Sequence, residues 1–338
     1  MAPPRIGVIG ARRNSQGIGE YVARDLASLG SKVTAIVGTT PETVDTARRN
    51  LSERYGLSVR GYCSVDAMLA SEELDAVAIC SPHQFHRAHL HAALRRSLHT
   101  LCEKPLLFEE GRDLVRDAQE LVAGFAASRR VLMVNEQWPY TLPFFDQCWP
   151  HFRRKSDPPD RLSVLLCPSE KGEAMIPNAL PHVLSLLLTL APGGGQAEGI
   201  RIRAWGDDTL DLQFRYVHNL GETHVSSRFR QYPHQPRPAG YALNGFGVRR
   251  VIELPSYTMA FERCQFSQDD EFWRFVEYGN AGNAAEPQVP IADPLPRLLA
   301  DFLHRIEFTG EDDCVHPTMV NNTRLLTEIV AAARHAAV

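Results

Sequence analysis

The sequence predicts an α/β fold followed by an α+β fold, on three observations. In the first 136 residues, short apolar runs of strand length alternate with helix-like segments, an order typical of a parallel sheet with right-handed crossovers. In the remainder, several runs alternate apolar and polar residues, most clearly 210–217, as in an antiparallel sheet with one wet face. The length of 338 residues suits two domains, which we predict over 1–136 and 137–338.

Each element of the first domain follows from a local signal. Residues 75–80 form an apolar run of the length expected for a strand buried on both faces. Thr40 and Pro41 predict an N-cap and a first helical position, opening a helix that runs to Tyr55. The predicted strands are 5–10, 32–37, 75–80, 99–102 and 130–135, and the predicted helices are 18–30, 41–55, 86–97 and 109–128.

The second domain is predicted as a large open, mostly antiparallel sheet with helices on one side. Its strands are expected at 161–167, 199–205, 210–217, 222–230, 246–254 and 257–264, and its helices at 178–191, 268–279, 294–308 and 316–336. Residues 231–245 are rich in Pro, Gly and Tyr and are predicted to be a long loop. The last helix is a candidate to pack back on the first domain.

Composition argues against several function classes. The formal net charge of -4, from 36 basic and 40 acidic residues, does not favour nucleic acid or an anionic membrane as a partner. No apolar stretch looks long enough for a signal peptide or a membrane span. The seven cysteines are scattered without a Cys-x-x-Cys pair, so we expect reduced core residues in a cytoplasmic protein.

A glycine-rich loop joins the first strand to the first helix. Gly10 ends the strand and Gly17-Ile18-Gly19 opens the helix, where glycines would let the backbone approach the pyrophosphate of a dinucleotide. The loop is about four residues longer than the usual G-x-G-x-x-G, so a glycine-rich turn of another doubly wound protein stays open. The candidate cofactor contacts here are Gly10, Arg12, Arg13, Ser15, Gln16, Gly17 and Ile18.

The end of the second strand bears on the choice between NAD and NADP. An NAD-binding protein often has an acid there to hold the ribose 2′-hydroxyl, but this chain reads Val37-Gly38-Thr39-Thr40. Thr39 and Thr40, with the guanidinium groups of Arg12 and Arg13, would suit a 2′-phosphate. We therefore favour NADP over NAD, against the alternative that both arginines are solvated surface residues.

Ser81-Pro82-His83 follows the strand at 75–80 and should lie at the carboxyl edge of the sheet, where ligands bind in this architecture. We predict that Ser81, Pro82, His83 and His86 flank the cofactor. Histidines also occur at positions 89 and 91, but these two cannot share one helical face, so a metal site is not favoured.

The strand at 99–102 ends on Glu103-Lys104-Pro105, which taken alone would be an exposed strand end. The longer stretch AVAICSPHQFHRAHLHAALRRSLHTLCEKPL, residues 76–106, closely resembles the glucose-fructose oxidoreductase and inositol dehydrogenase (Gfo/Idh/MocA) family. The residues that match are Ser81, Pro82, His86, Ala93, His99, Glu103, Lys104 and Pro105. The chain departs from the family at His83, where members often have Asn.

The resemblance implies a Rossmann domain, an α+β domain, and hydride transfer between the nicotinamide of NAD(P) and a carbonyl or alcohol carbon. It implies that the substrate is a sugar, a cyclitol or a sugar-like metabolite. Lys104 would then lie beside the nicotinamide and help move the proton, Glu103 would lie near the nicotinamide ribose, and the Lys104–Pro105 bond would be cis as in many members. A homodimer or homotetramer formed through the C-terminal sheet is also implied.

Family dehydrogenases carry a second catalytic group in a pattern resembling D-x-x-x-H-x-x-D. Here the corresponding stretch is IPNALPHVLSLLLTL, residues 176–190, in which His182 takes the histidine position. Asn178 and Ser185 stand where the two Asp residues are expected, and Pro181 predicts an irregular first turn. Asn178 can orient the histidine by hydrogen bonding but supplies no charge. Lys104 would then carry more of the proton transfer.

Because Asn178 stands where the family has Asp, other functions stay open. One alternative is imine reduction or NAD-assisted elimination on the same scaffold; another is a non-catalytic dinucleotide-binding assembly protein. Glu136, Gln137 and Trp138 follow the last strand of the first domain and are candidates for the substrate pocket. It is equally open that Trp138 and Tyr140 pack the domain junction.

Overall fold

A computed structural model of the chain describes residues 2–11, 18–154, 157–254, 256, 258–268, 273–276, 288–308, 314–316 and 318–336. These residues form two compact units. Unit 1 comprises the described residues of 1–136 and 294–323, and unit 2 comprises those of 137–293 and 324–336.

The first 136 residues alternate strand and helix. In chain order the elements are β1 (Arg5–Ile9), α1 (Gly19–Ser28), β2 (Lys32–Val37), α2 (Pro41–Tyr55), β3 (Arg60–Tyr62), α3 (Val65–Ser71), β4 (Ala76–Ile79), α4 (His86–Arg95), β5 (His99–Cys102), α5 (Leu114–Ala127) and β6 (Leu132–Val134). The sequence did not predict β3 and α3, and α5 begins five residues later than expected, at Leu114 rather than 109.

The later elements are mostly strands. They are α6 (Leu142–Cys148), β7 (Arg161–Leu166), α7 (Met175–Leu190), β8 (Gly195–Trp205), β9 (Thr209–His218), β10 (Gly221–Arg230), β11 (Ala239–Leu243), β12 (Phe246–Glu253), β13 (Thr258–Gln268), β14 (Trp273–Val276), β15 (Val289–Ile291), α8 (Pro294–Phe308) and α9 (Thr318–Ala336).

Unit 1 is built on a parallel sheet in the order β3-β2-β1-β4-β5-β6. Apolar strands such as β4, in which every residue is buried, require cover on both faces, which explains their unbroken apolar runs. A later segment extends the edge beyond β6, where the Leu132 amide donates to the Cys314 carbonyl at 2.9 Å and Val315 bridges Leu132 in parallel. Met319, at the start of α9, joins the core of this unit.

Unit 2 contains the larger sheet, in the order β14-β13-β12-β11-β7-β10-β9-β8, with β15 paired to β13. The described pairings are antiparallel except for β7 with β10. The two sheets together confirm the predicted fold class.

Two predictions in unit 2 were wrong. The predicted loop at 231–245 contains the strand β11, which lies between β7 and β12 with all five of its residues buried. Its Ala and Gly have low strand propensity, and pairing on both sides overrides that preference. The predicted helix at 268–279 contains the strand β14 instead, while residues 269–272 and 277–279 lie outside the described part of the chain.

The expectation that no apolar stretch is long enough to span a membrane needs a correction. Among the described residues, Gly172–Leu190 is long and apolar enough to cross a membrane, with a mean hydropathy of 1.2, although no such stretch was expected from the sequence. In the structure 67% of that stretch is buried, which explains its composition as that of a core helix, because α7 packs on β7 and β10.

Candidate active site

The carboxyl ends of the strands in unit 1 bring most of the predicted residues to one edge of the sheet. Gly10 follows β1, Ser81 follows the end of β4, Glu103 follows β5 and Asn135 follows β6. The strand order reverses between β1 and β4, which is where ligands bind in an open α/β sheet. The carboxyl edge of this sheet is therefore the candidate dinucleotide site.

Gly10 and Gly19 hold the backbone in a close cradle at this edge. Gly10 has a φ of +87°, and a Cβ at this position would lie 2.7 Å from the Ser81 amide nitrogen. A Cβ on Gly19 would overlap the Gly10 carbonyl oxygen, so α1 starts directly against the end of β1. This close approach suits a pyrophosphate at the N-terminus of α1.

The predicted contacts Arg12, Arg13, Ser15, Gln16 and Gly17 lie outside the described residues. Ile18 is the residue that precedes α1, and its side chain makes no capping hydrogen bond.

Thr39 and Thr40 are exposed at the end of β2. The Thr40 hydroxyl accepts a hydrogen bond from the Thr43 amide at 3.3 Å, and the Thr43 hydroxyl accepts one from the Thr40 amide at 2.9 Å, a capping box for α2. Glu42 also lies here: hydrogen bonds from its own backbone amide and from the Thr40 hydroxyl lower the pKa of its carboxyl group. The sequence interpretation overlooked this acid, which stands two residues after Thr40, in the first turn of α2.

His86 occupies a different place from the one predicted. Its side chain is 0% exposed, with Nδ1 lying 2.8 Å from the Pro105 carbonyl oxygen and Nε2 lying 2.8 Å from the Ser81 carbonyl oxygen. A buried ring with both nitrogens on backbone carbonyls cannot also contact a cofactor. His86 instead ties the turn after β4 to the turn after β5.

His83 lies near Lys104, the predicted proton-transfer residue. The half-buried ring packs edge-on to Phe108 at 5.4 Å between centroids. Burial, and then the positive charge of Lys104, lower the pKa of His83, so its imidazole is neutral at pH 7. Nearby, the buried Ser81 hydroxyl lies 3.0 Å from Nδ1 of the half-buried His89, while Pro82 is exposed.

Glu103 and Lys104 stand side by side where β5 ends. The Glu103 carboxylate accepts a hydrogen bond from the Asn135 amide, and the Lys104–Pro105 peptide bond is cis. Burial raises the pKa of Glu103, while the charge of Lys104 and the Asn135 hydrogen bond act in the opposite direction. An acid, an amide and an amine are thus grouped at the ends of two neighbouring strands, β5 and β6. The sequence did not identify Asn135 as a site residue, although it follows β6 directly.

Glu136 is the other acid at this edge. Its carboxylate accepts a hydrogen bond from the Asn322 amide at 2.6 Å. Burial raises the pKa of Glu136 to about 8, against the effect of the Asn322 hydrogen bond. Asn322 lies 186 residues further along the chain, on α9, so no local sequence signal could have found it.

In unit 2, α7 carries the residues predicted to form the second catalytic group. Asn178 and His182 are half-buried and one turn apart, hence on the same helical face. Helix α7 continues through Pro181, contrary to the irregular turn that was predicted. Ser185 is 2% exposed, and its hydroxyl donates a hydrogen bond to the His182 carbonyl oxygen at 2.9 Å. This hydroxyl is therefore bound to the backbone of its own helix.

Gln137 and Trp138 also belong to unit 2. Trp138 is 7% exposed, packs edge-on to Tyr241 at 5.9 Å and lies under the Arg250 guanidinium at 5.7 Å. These contacts favour a packing role for Trp138 within its unit. Gln137 is half-buried, and its carbonyl accepts a hydrogen bond from the Tyr140 amide at 3.1 Å.

The described residues contain no group of three or more His, Cys, Asp or Glu side chains that could hold a metal ion. The four histidines at positions 83, 86, 89 and 91 therefore do not converge on one point.

The fold and this edge define a protein of the dinucleotide-binding Rossmann type, followed by an α+β unit. The model of the oxidoreductase family with an NAD-binding Rossmann fold, Gfo/Idh/MocA, matches residues 4–136, so this part of the chain is similar to that family. Its cradle at Gly10 and Gly19 fits the NAD-binding role that the family description gives.

Similar proteins include several sugar dehydrogenases and reductases. A UDP-N-acetylglucosamine 3-dehydrogenase of Acidithiobacillus ferrooxidans is 34% identical over 135 residues, which cover 39% of each chain. A 1,5-anhydro-D-fructose reductase of Ensifer adhaerens is 31% identical over 118 residues, 34% of this chain and 33% of the relative. The chain thus matches well under half the length of these curated relatives.

The likeness of fold extends over the whole chain. The solved structure of the Acidithiobacillus ferrooxidans UDP-N-acetylglucosamine 3-dehydrogenase superimposes with a TM-score of 0.66 at 18% identity, covering 98% of both chains. At 18% identity, this superposition is evidence for the fold of each unit alone.

Proposed function

We propose that this protein is an NAD(P)-dependent oxidoreductase that transfers hydride between nicotinamide and a carbonyl or alcohol carbon of a sugar, cyclitol or sugar-like metabolite. The observation that carries the proposal is the position of Lys104, half-buried at the carboxyl end of β5, with Glu103 beside it and His83 close enough to feel its charge. The sugar dehydrogenases and reductases among the relatives support the choice of substrate class.

The proposed chemistry assigns a role to each group. Bound nicotinamide would supply or accept the hydride. In the reducing direction, the Lys104 ammonium donates a hydrogen bond to the reacting oxygen and passes a proton to it as negative charge develops. Glu103, held by Asn135, keeps a carboxylate next to Lys104 and stabilises its charged form. The neutral imidazole of His83 adds no second positive charge beside it.

For unit 2, we propose that His182 is a second proton-transfer group and that Asn178 orients it. The two lie one turn apart on α7, within reach of each other on one face. Because Asn178 has no charge, His182 receives less electrostatic support than a histidine paired with Asp would, and Lys104 carries most of the proton transfer.

We also propose NADP as the preferred dinucleotide. The support is the lack of an acid at Gly38, Thr39 and Thr40 and the presence of two hydroxyls there. The Glu42 carboxylate acts against a 2′-phosphate, because like charges repel. Titration of the protein with each oxidised dinucleotide decides the matter: tighter binding of NADP supports the proposal, and tighter binding of NAD assigns Glu42 to the ribose.

The test of the main proposal is Lys104→Ala, assayed with a panel of aldoses, ketoses and inositols by nicotinamide absorbance. We expect kcat to fall at least about a hundredfold, the usual range for losing a proton-transfer group, with dinucleotide affinity retained. Lys32→Ala is the matched control, because Lys32 is exposed at the opposite end of the same sheet. Full activity in Lys104→Ala would exclude the role assigned to this amine.

A further inference from the structure

A single buried imidazole lies between the two turns that carry candidate groups of unit 1. Nε2 of His86 lies 2.8 Å from the Ser81 carbonyl oxygen, in the turn after β4. Nδ1 of the same ring lies 2.8 Å from the Pro105 carbonyl oxygen, in the turn after β5. Pro105 is bonded directly to Lys104, the proposed proton donor. One side chain therefore contacts both turns at once.

Ser81 belongs to the dinucleotide cradle. A Cβ on Gly10 would lie 2.7 Å from the Ser81 amide nitrogen, so the backbone at Ser81 forms the wall that Gly10 packs against. The Ser81 hydroxyl lies 3.0 Å from Nδ1 of His89, which follows His86 by one turn on α4. Two histidines of one helix thus contact the carbonyl and the hydroxyl of Ser81.

Sheet pairing alone does not fix the two turns relative to each other. The register of β4 and β5 ends with the pair Ile79 and Cys102, and the Glu103 amide then donates to the Ile79 carbonyl oxygen at 2.8 Å. Ser81 and Lys104 both lie beyond these residues in the chain. Their relative position therefore depends on links made past the strand ends, and the His86 ring supplies such a link.

The chemistry of the ring allows its two contacts to be separated. Carbonyl oxygens only accept hydrogen bonds, so each contact needs a proton on its ring nitrogen. Burial lowers the pKa of His86, while hydrogen bonds to the backbone of Ser81, Pro105 and Leu106 act in the opposite direction. A neutral ring has one N–H and fills one contact in each tautomer, whereas a protonated ring fills both.

We propose that His86 is a positioning residue for the hydride transfer, holding the dinucleotide cradle through Ser81 and the Lys104 amine through Pro105. This inference rests on the function proposed above and adds to it a side chain that touches neither cofactor nor substrate. The contact with Ser81 supports dinucleotide affinity, and the contact with Pro105 supports the rate of the chemical step.

Two amide substitutions test the two contacts one at a time. The amide nitrogen of asparagine is as many bonds from Cβ as Nδ1 of histidine is, and that of glutamine as many as Nε2. His86→Gln therefore keeps a donor for Ser81 and loses the one for Pro105. We expect kcat at saturating dinucleotide to fall about threefold to tenfold, the effect of one hydrogen bond, with the dinucleotide Kd within about twofold of wild type.

His86→Asn keeps the donor for Pro105 and loses the one for Ser81. We expect the opposite pattern: a dinucleotide Kd about threefold to tenfold weaker, and kcat at saturating dinucleotide within about twofold of wild type. Nicotinamide absorbance on the best substrate of the panel measures kcat, and fluorescence titration measures Kd. A histidine that only stabilised the fold would not divide the two constants between the two variants.

His91→Asn and His91→Gln are the matched controls. His91 is a half-buried histidine of the same helix, five residues after His86 and hence on a different face of α4. Both control variants should leave Kd and kcat unchanged. The proposal is overturned if both His86 variants shift the same constant, if they shift both or neither, or if the pattern is reversed. Loss of folding in both would also overturn it, because His86 would then act on stability alone.

Failure of the parent proposal has a different signature. If no member of the substrate panel is turned over by wild type, the oxidoreductase function fails, and His86 is judged by amide hydrogen exchange of the folded variants. Faster exchange in 80–85 alone for His86→Asn, and in 103–108 alone for His86→Gln, would support separate links to the two turns. The same change in both segments, or no change in either, would overturn them.

Discussion

The two units hold their candidate groups by different means. In unit 1, Gly10, Glu103 and Asn135 sit directly after parallel strands, and the strand order alone brings them to one edge. In unit 2, Asn178 and His182 stand on one face of the helix α7, which packs on β7 and β10. A site built on strand ends is fixed by backbone pairing, whereas a site built from separate elements depends on side-chain packing.

The largest expected effect comes from placing a side chain in the unit 1 cradle. Gly10→Ala puts a Cβ 2.7 Å from the Ser81 amide and forces an L-residue to a φ of +87°. We expect a loss of about 2–5 kcal/mol of unfolding free energy, from strain and overlap together, and a dinucleotide Kd at least tenfold weaker. Urea unfolding and dinucleotide titration measure the two effects.

Gly30→Ala is the matched control for that substitution. Gly30 also has a positive φ, +94°, but a Cβ there would meet no heavy atom within 4 Å. It should cost only the strain of about 1–2 kcal/mol and leave dinucleotide affinity unchanged. Equal effects of the two substitutions would mean that close packing at Gly10 does not build the cradle.

The second effect concerns Glu136, the half-buried acid of unit 1 that accepts from Asn322, and it depends on pH. With a folded pKa of about 8 and an ordinary value of 4.5, Glu136 binds its proton more tightly in the folded state. Its contribution to stability is therefore complete below about pH 4.5 and is lost as the pH rises towards 8, by at most about 1.4 kcal/mol per pH unit.

Glu136→Gln should remove this dependence while keeping a carbonyl oxygen for the Asn322 amide. We expect the variant to equal wild type near pH 5 and to exceed it by about 1–3 kcal/mol at pH 9. Urea unfolding at the two pH values measures the difference. A difference that is the same at both values would show that Glu136 does not titrate in this range.

The smallest expected effect is that of a substitution at Asn178 in unit 2. Asn178→Asp restores an acid one turn before His182, on a face that is only half-buried. An added carboxylate favours the protonated imidazole by about 0.3–0.5 kcal/mol, the size of an exposed pair at this spacing. The pH profile of kcat should move up by a fraction of a unit, whereas Asn178→Ala should give no upward shift. An unchanged pH profile of kcat in Asn178→Asp would show that His182 does not take part in the proton transfer.

The local signals in unit 1 were sufficient for most of its elements. β2 and β5 begin and end at the predicted residues, and α2 begins at Pro41 because Thr40 caps it, as its sequence indicates. In unit 2 the alternating strands were found, but β11 was not, since Ala239 and Gly240 carry no strand signal of their own. Strand pairing between distant segments decides such cases.

The candidate site divides in the same way. The residues that follow strands, Gly10 and Glu103-Lys104, could be predicted because a parallel sheet brings consecutive strand ends together. His86 matched the family pattern, yet that match did not reveal its burial between the Ser81 and Pro105 carbonyl oxygens. A pattern specifies residue type and spacing, while the acceptor of a hydrogen bond depends on the folded chain.

The sequence by itself determined the resemblance to the Gfo/Idh/MocA family, the alternation of strand and helix, and the strand end at which Lys104 stands. These follow from periodicity and short motifs, which are local in the chain. Only the tertiary structure decided that Asn322 meets Glu136 and that Asn135 holds Glu103. Each of these contacts joins residues far apart in sequence, and burial at the meeting point sets the charge that each group can carry.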